Sequence, residues 1–194
     1  MNTIKMIVGL GNYLDQYADT RHNVGHWFIN MLSDFYKVSF NFKKKFLGYV
    51  SCITLNNNKI YLLRPNLFMN LSGYSVRALS SFYKIDLSEI LIVRDELDLI
   101  PGIMKIKFGT HHNGHNGVKN ILKFLVSKGN FLQLCIGIGR PEQKKNISEF
   151  VLKAPNLIEM NMIKKSIFEF ILLTKNRIYQ KKFLINKTIN INTE

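Results

Sequence analysis

Two histidines and one carboxylate stand out as residues that could catalyse a reaction in this chain of 194 residues. His22 and His115 each precede an asparagine, and Asp95 follows a short apolar run at 90–93 that predicts a buried strand. In open α/β sheets, ligands bind outside the carboxyl ends of the strands. A carboxylate at that edge can orient a histidine, fix its tautomer and raise its basicity. The pattern is therefore typical of general-base catalysis, with two candidate histidines.

The same residues also have a structural interpretation. Asn23, Asn70 and Asn116 each stand where an apolar helical pattern begins, and asparagine is a favoured N-cap. A helix start presents free backbone N–H groups and the positive end of a dipole, which suit a phosphate or a developing oxyanion. From spacing alone, ordinary helix caps and a catalytic site remain alternatives.

Other kinds of site lack their signatures. A Gly9-Leu-Gly11 turn follows the first strand, but the third glycine of a dinucleotide fingerprint would fall on Leu14. The chain has no G-x-S-x-G elbow, and Cys135 lies in an apolar strand pattern typical of an inert thiol. The three histidines between positions 111 and 115 match no metal-binding spacing. We therefore expect no metal, no cofactor and no covalent intermediate.

The charge distribution indicates a polyanionic partner. The formal net charge is +14, and residues 37–84 carry eight basic residues and no acidic one. Residues 101–139 carry five basic residues and again no acid. Lysine outnumbers arginine by 21 to 6, a ratio that codon usage rich in A and T would also produce. Such codon usage would not, however, remove acidic residues from particular segments. We therefore expect a surface that binds RNA or DNA.

Short β-type runs alternate with amphipathic helical patterns along the chain. Strands are predicted over residues 4–8, 46–55, 59–63, 90–93, 103–108 and 131–138, and helices over 24–35, 71–82, 118–125 and from a capping box at 156–159. The strands over 46–55 and 59–63 are predicted to form a hairpin with a turn at Asn56–Asn58. The order mixes β–α–β units with this hairpin and predicts one α/β domain over residues 1–194, with a mixed, mostly parallel twisted sheet flanked by helices. The polar residues 186–194 are expected to form a frayed tail.

The location of the protein follows from what the composition lacks. Two cysteines, Cys52 and Cys135, are too few for a disulfide scaffold, which favours a reducing compartment. No stretch approaches the roughly 20 apolar residues of a membrane span. No signal-peptide pattern is present at the start of the chain. We expect a cytoplasmic protein without a membrane partner.

Six blocks in the chain closely resemble the bacterial peptidyl-tRNA hydrolase family, in that family's order and at nearly its spacing. They are Met6–Asn12, Tyr17–Gly25, Phe68–Gly73, Asp95–Leu99, Gly114–Gly117 and Ile136–Pro141. The resemblance implies an enzyme that hydrolyses the ester between a peptide and the 3′-terminal ribose of tRNA, which releases free tRNA for reuse. It also implies a monomer that binds tRNA and needs no metal.

The resemblance also assigns roles to residues. His22 occupies the position of the general base and Asp95 that of the orienting carboxylate. Positions for binding or lining the substrate cleft are occupied by Asn12, Tyr17, Met69, Asn70, His115 and Asn116. Lys105 and Lys107 match basic positions associated with tRNA phosphates. Because a helix start disfavours imidazolium while Asp95 favours it, the pKa of His22 is predicted to stay near its ordinary value of about 6.5.

Three departures from the family pattern concern substrate binding. Tyr13-Leu14 replaces the usual Pro-Gly, and Thr110–Asn113 replaces a glycine-rich run. Cys135 stands where an arginine often contacts tRNA, so one phosphate contact is expected to be lost. These changes leave one main alternative, a catalytically inactive RNA-binding protein with the same fold. The intact His22 and Asp95 favour the enzyme.

Overall fold

The computed structural model describes residues 3–125, 129–141, 146–185 and 187–190. Within them, eight strands form one sheet and helices cover both of its faces. The strands are β1 (Met6–Gly9), β2 (Asn41–Lys43), β3 (Gly48–Leu55), β4 (Asn58–Pro65), β5 (Ile90–Glu96), β6 (Ile103–Gly109), β7 (Phe131–Gly137) and β8 (Thr188–Asn190). The helices are α1 (Val24–Phe35), α2 (Ser72–Phe82), α3 (Asn116–Leu125), α4 (Ile147–Val151), α5 (Leu157–Thr174) and α6 (Lys181–Leu184).

The sheet is mixed, as expected, and its strand order is β2-β3-β4-β1-β5-β7-β6-β8. The four central strands from β4 to β7 run parallel, whereas the outer pairings are antiparallel. The expectation of a mostly parallel sheet is therefore wrong beyond the centre. Residues 56–57 join β3 to β4 and residues 97–102 join β5 to β6, and both links are too short for the crossover of about a dozen residues that a parallel neighbour needs. Because β7 is parallel to β5, the reversed strand β6 runs antiparallel to β7.

The expected frayed tail is also partly wrong. Asn186 and residues 191–194 lie outside the described residues, but Thr188–Asn190 form β8 and pair with β6. The outer edge of β6 offers unpaired backbone N–H and C=O groups to an added strand. Ile189 is partly buried against the core, which anchors this short strand.

Two apolar layers enclose the sheet. On one face α1 and α5 pack together, with the rings of Phe28 and Phe170 meeting edge-on at 5.8 Å. On the other face Val76 of α2 and Ile121 of α3 are buried against β1 and β5. The predicted bounds of α1 and the capping box that begins α5 at Asn156 are confirmed.

Two glycines bring the start of α1 close to the carboxyl end of β1. A Cβ atom on Gly9 would lie 2.2 Å from the carbonyl oxygen of Gly25, which is shorter than any tolerated contact. Neither position therefore accepts a side chain without a shift of the backbone. This close approach places the segment before α1, which contains His22, at the edge of the sheet where β5 ends.

No helix in the described part of the chain combines the length and the apolar character that a bilayer span requires.

Candidate active site

Asp95 lies between the two candidate histidines at the carboxyl end of β5. Its Oδ1 atom is 2.9 Å from Nδ1 of His22 and 2.9 Å from Nε2 of His115. All three residues are buried, and the two imidazole rings are 4.9 Å apart between centroids. The structure thus joins both candidates to the single carboxylate, an arrangement that sequence spacing left open.

The hydrogen bonds of His115 distinguish the two rings. Nδ1 of His115 accepts hydrogen bonds from the backbone N–H groups of Gly117 and Val118, at 3.1 and 3.3 Å. His115 therefore caps α3, and its proton resides on Nε2, where it is donated to Asp95. The expected free N–H groups at this helix start are used inside the protein. His22 uses Nδ1 for Asp95 and keeps Nε2 for the cleft.

The pKa values of the two histidines shift in opposite directions. Burial lowers the pKa of His22, but the charge of Asp95 and the hydrogen bond to it outweigh burial, and the pKa is raised above its ordinary value. The expectation that it would stay near 6.5 is wrong, because Asp95 touches the ring directly. Burial also lowers the pKa of His115, and there Asp95 does not compensate. Despite burial, the two histidines lower the pKa of Asp95, which is therefore ionised.

The same three side chains also offer ligand atoms within 4.8 Å of one another, a spacing at which a metal ion can bind. A ligating imidazole nitrogen must have no proton. Because the α3 amides occupy Nδ1 of His115, its Nε2 carries the proton and offers no lone pair. The arrangement therefore fits a hydrogen-bonded triad and not a metal centre.

A clamp between two asparagines fixes the residue that follows β1. The backbone N–H of Asn12 donates to Oδ1 of Asn23, and Nδ2 of Asn23 donates to the carbonyl of Asn12, at 2.8 and 2.9 Å. Asn23 precedes α1 but makes no capping bond with its side chain. Oδ1 of Asn12 in turn accepts the N–H of Met69 at 2.8 Å. The side-chain Nδ2 group of Asn12 is the donor that remains for a substrate.

A cleft of about 340 Å³ brings together most of the predicted substrate-binding residues. It is lined by Asn12, Tyr17, His22, Met69, Asn70 and Asn116 among others. A second cavity of about 250 Å³ shares His22 and Asn116 with it and adds Asp95 and His115. His22 therefore borders both spaces, whereas Asp95 and His115 border only the second.

Sequence reasoning missed one wall of this cleft. The cleft is also lined by Ser148 and Val151 of α4 and by Leu152 just after it. These residues have no motif that distinguishes them from an ordinary short helix. Contact with the cleft arises from the packing of α4 against the segment that carries His22.

Arg94 forms a buried polar network behind Asp95. Its Nη1 donates to the carbonyl of Asp95 at 2.7 Å, and its Nε donates to Gln133 at 2.8 Å. Glu96 accepts from Nη2 of Arg94 at 3.1 Å and from Lys107 at 2.8 Å. The fully buried guanidinium is thereby paired, which is the condition for burying a charge.

The two predicted phosphate-binding lysines differ in environment. Lys105 is exposed and makes no ion pair with a described residue, whereas the ammonium group of Lys107 is already paired with Glu96. Neither lysine lines the cleft. Cys135 is fully buried beside Arg94, and burial raises the pKa of its thiol to about 11. The thiol is therefore inert at neutral pH, as the sequence predicts.

The two altered loops keep defined shapes. The ring of Tyr13 meets that of Phe68 edge-on at 5.1 Å. In the other loop, the backbone N–H of Gly114 donates to Nδ1 of His112 at 3.0 Å, and Asn113 has a φ of 45°. Asparagine is one of the few residues that tolerate this left-handed conformation.

The fold and the site together define a mixed α/β protein with a candidate hydrolytic centre, in which a carboxylate orients a histidine. A family model described as peptidyl-tRNA hydrolase matches residues 6–192. The chain is 68% identical to a peptidyl-tRNA hydrolase of Buchnera aphidicola from Cinara cedri, over 97% of this chain and 98% of that protein. It is 46% identical to one from Pectobacterium atrosepticum, over 90% of each chain.

Solved structures give the same result. The crystal structure of peptidyl-tRNA hydrolase from Acinetobacter baumannii superposes with a TM-score of 0.86 and 38% identity, over 92% of this chain and 90% of that one. This chain belongs to the peptidyl-tRNA hydrolase family. Family membership confirms the prediction, made from the six sequence blocks, of a peptidyl-tRNA hydrolase.

Proposed function

We propose that this chain hydrolyses the ester of peptidyl-tRNA by activating a water molecule with His22. The observation that supports this most strongly is the pairing of His22 Nδ1 with Asp95, because it leaves Nε2 as the basic atom in the cleft. Water attacks the ester carbonyl as Nε2 accepts its proton. The same proton then passes to the departing 3′ oxygen of the ribose. The products are a tRNA with its hydroxyl restored and a peptide whose new carboxylic acid releases its proton to solvent.

Asp95 contributes by stabilising the imidazolium that forms during attack. Its charge is already present in the resting state, since its pKa is lowered by both histidines. His115 takes a positioning role, because its Nε2–H holds Asp95 while its Nδ1 is bound to α3. The proposed base is therefore His22 and not His115.

Asn12 is the asparagine best prepared to donate to the peptide or to the developing oxyanion. Its backbone is clamped by Asn23 and its Oδ1 by Met69, so Nδ2 is held in one direction. Asn70 and Asn116 are exposed and border the cleft without such restraint. A donor fixed in advance stabilises an oxyanion more effectively than one that must reorganise.

We also propose that the chain acts as a monomer of one domain in the cytoplasm, with tRNA phosphates contacting Lys105 and, more weakly, Lys107. One chain supplies the whole triad and the cleft, which supports a monomer. Strands from residue 6 to residue 190 join one sheet, which supports a single domain. The exposed ammonium group of Lys105 lies one strand beyond β7, on the side of the triad away from β1.

Incubation with purified peptidyl-tRNA and, separately, with aminoacyl-tRNA that has a free amino group tests the proposal. Release of peptide from the first substrate, with the RNA chain intact, is expected. Binding of peptidyl-tRNA without release would instead identify an inactive RNA-binding protein. Cleavage of the RNA itself would identify a nuclease.

A further inference from the structure

A separate cavity of about 170 Å³ adjoins the cleft on the far side of Asn12. We call it the Arg64 cavity, after the single cation among the described residues that line it. Asn12 borders both spaces, and Tyr13 of the cavity contacts Phe68 of the cleft edge-on. The cleft and the Arg64 cavity are therefore neighbours, with Asn12 and the Tyr13–Phe68 contact at the boundary between them.

Arg64 is held in place but has no counter-ion. Its Nη1 donates to Oδ1 of Asn30 at 3.2 Å, and its guanidinium carbon lies 4.5 Å from the ring centre of Tyr49. The side chain is about half-buried and makes no ion pair with any described residue. Asp15, at the exposed rim of the cavity, is not within ion-pair distance of Arg64. A partly desolvated, oriented guanidinium with free N–H groups is a receptor for a carboxylate or phosphate.

Apart from Asp15 at its exposed rim, the remaining lining is uncharged. His26 is buried with its ring against Gly11, where a Cβ atom would lie 2.6 Å from the ring. Burial and the charge of Arg64 lower the pKa of His26 to about 3, so the imidazole is neutral, and its Nε2 has no partner among the described residues. Asn30 and Asn66 add amide groups. The interior therefore presents one positive charge and several neutral hydrogen-bonding groups.

The sheet order indicates which part of the substrate reaches this cavity. Arg64 lies near the end of β4, beside β1, whereas Lys105 lies on β6, beyond β5 and β7. The triad at the end of β5 is between them. The peptide and the tRNA leave the ester in opposite directions. If the tRNA lies over β6, the peptide extends over β1 and β4, toward Arg64.

We propose that the Arg64 cavity is a specificity pocket that binds an acidic side chain of the peptide, with its carboxylate on the guanidinium of Arg64. This inference rests on the proposed function, since it concerns the substrate of the same reaction. It predicts that peptidyl-tRNAs with a glutamate at the position that reaches the cavity are preferred over those with glutamine.

The test uses N-acetylated tripeptidyl-tRNAs that differ only by glutamate or glutamine, placed at each peptide position in turn on one tRNA. For the wild-type protein, kcat/KM is expected to be about tenfold higher for glutamate at one position, which corresponds to a single charge-assisted hydrogen bond. Arg64→Gln should abolish this preference, because it slows the glutamate substrate about tenfold more than the glutamine substrate. Arg77→Gln, which removes the same charge from an exposed position on α2, should retain the preference.

Equal rates for glutamate and glutamine at every position in the wild type would overturn the proposal. So would an Arg64→Gln variant that slows both substrates equally while reducing the salt dependence, because Arg64 would then contact a tRNA phosphate. Competition by 3′-amide-linked glutamyl and glutaminyl adenosine analogues measures the same preference without any variant. If no peptidyl-tRNA is hydrolysed at all, the proposed function fails, which is a separate outcome.

Discussion

Asp95→Asn tests the role of the carboxylate without moving the residues around it. Both histidines donate to the same oxygen, Oδ1, at 2.9 Å. An asparagine can keep its Oδ1 in that place and put its amide group where Oδ2 now lies. The substitution therefore removes the negative charge while both hydrogen bonds keep an acceptor.

The expected loss of kcat follows from the hydrogen bond between His22 Nδ1 and Asp95. When His22 takes a proton, its Nδ1–H to Asp95 becomes a bond between opposite charges, and hydrogen bonds to charged groups contribute about 1.5–3 kcal/mol. Asparagine keeps a hydrogen bond with a neutral acceptor, which contributes about 0.5–1.5 kcal/mol, so the net loss is about 1–1.5 kcal/mol. At about 1.4 kcal/mol per factor of ten, kcat should fall roughly 5- to 12-fold. tRNA affinity should change little, since Asp95 is buried.

The pH profile provides the second readout. In the wild type, hydrolysis should rise with pH through a pKa above 6.5, because protonated His22 cannot accept a proton and Asp95 raises its pKa. In Asp95→Asn, burial remains and the charge is gone, so this rise should move to lower pH. Asp98→Asn is the matched control, since Asp98 is exposed and pairs with Arg140 at 2.7 Å. A kcat within twofold of the wild type, with an unmoved profile, would refute this account of Asp95.

Three further predictions concern binding, stability and metal. Lys105→Ala should weaken tRNA binding and lower the slope of log affinity against log salt by about 1. Lys107→Ala should have a smaller effect on both, because the ammonium group of Lys107 is already paired with Glu96. Equal effects of the two variants in a binding titration would contradict this. Gly9→Ala should lower the free energy of unfolding by about 1–3 kcal/mol in urea melts, because the added Cβ would collide with the Gly25 carbonyl. An unchanged unfolding midpoint would argue against this close contact. Treatment with EDTA should leave hydrolysis unchanged, and a loss restored by zinc would show that the triad binds metal.

Much of the fold could be predicted because its signals are local. The periodicity of α1 and the capping box at Asn156 depend on neighbouring residues, and both elements are found where expected. The local turn signal at 56–58 also indicated the hairpin of β3 and β4. Sheet order and the direction of other strands depend on contacts between distant residues, so the antiparallel pairings of β6 with β7 and β8 were not visible.

In the site, too, the sequence indicated residues but not the contacts between distant residues. His22 and Asp95 were recognised from motifs, and the structure places them in contact. The cap that His115 forms on α3 and the clamp between Asn12 and Asn23 were missed, because a sequence gives residue types and not the atoms that pair. The raised pKa of His22 was missed for the same reason, since it depends on one distance of 2.9 Å to Asp95.

The most direct test of the central claim is the single-turnover rate of peptide release from peptidyl-tRNA by the wild type and by His22→Ala, with tRNA affinity measured on the same samples. Loss of the general base should slow release by about 10²- to 10⁴-fold and leave affinity nearly unchanged. Release by His22→Ala at a rate close to that of the wild type would show that another group activates the water.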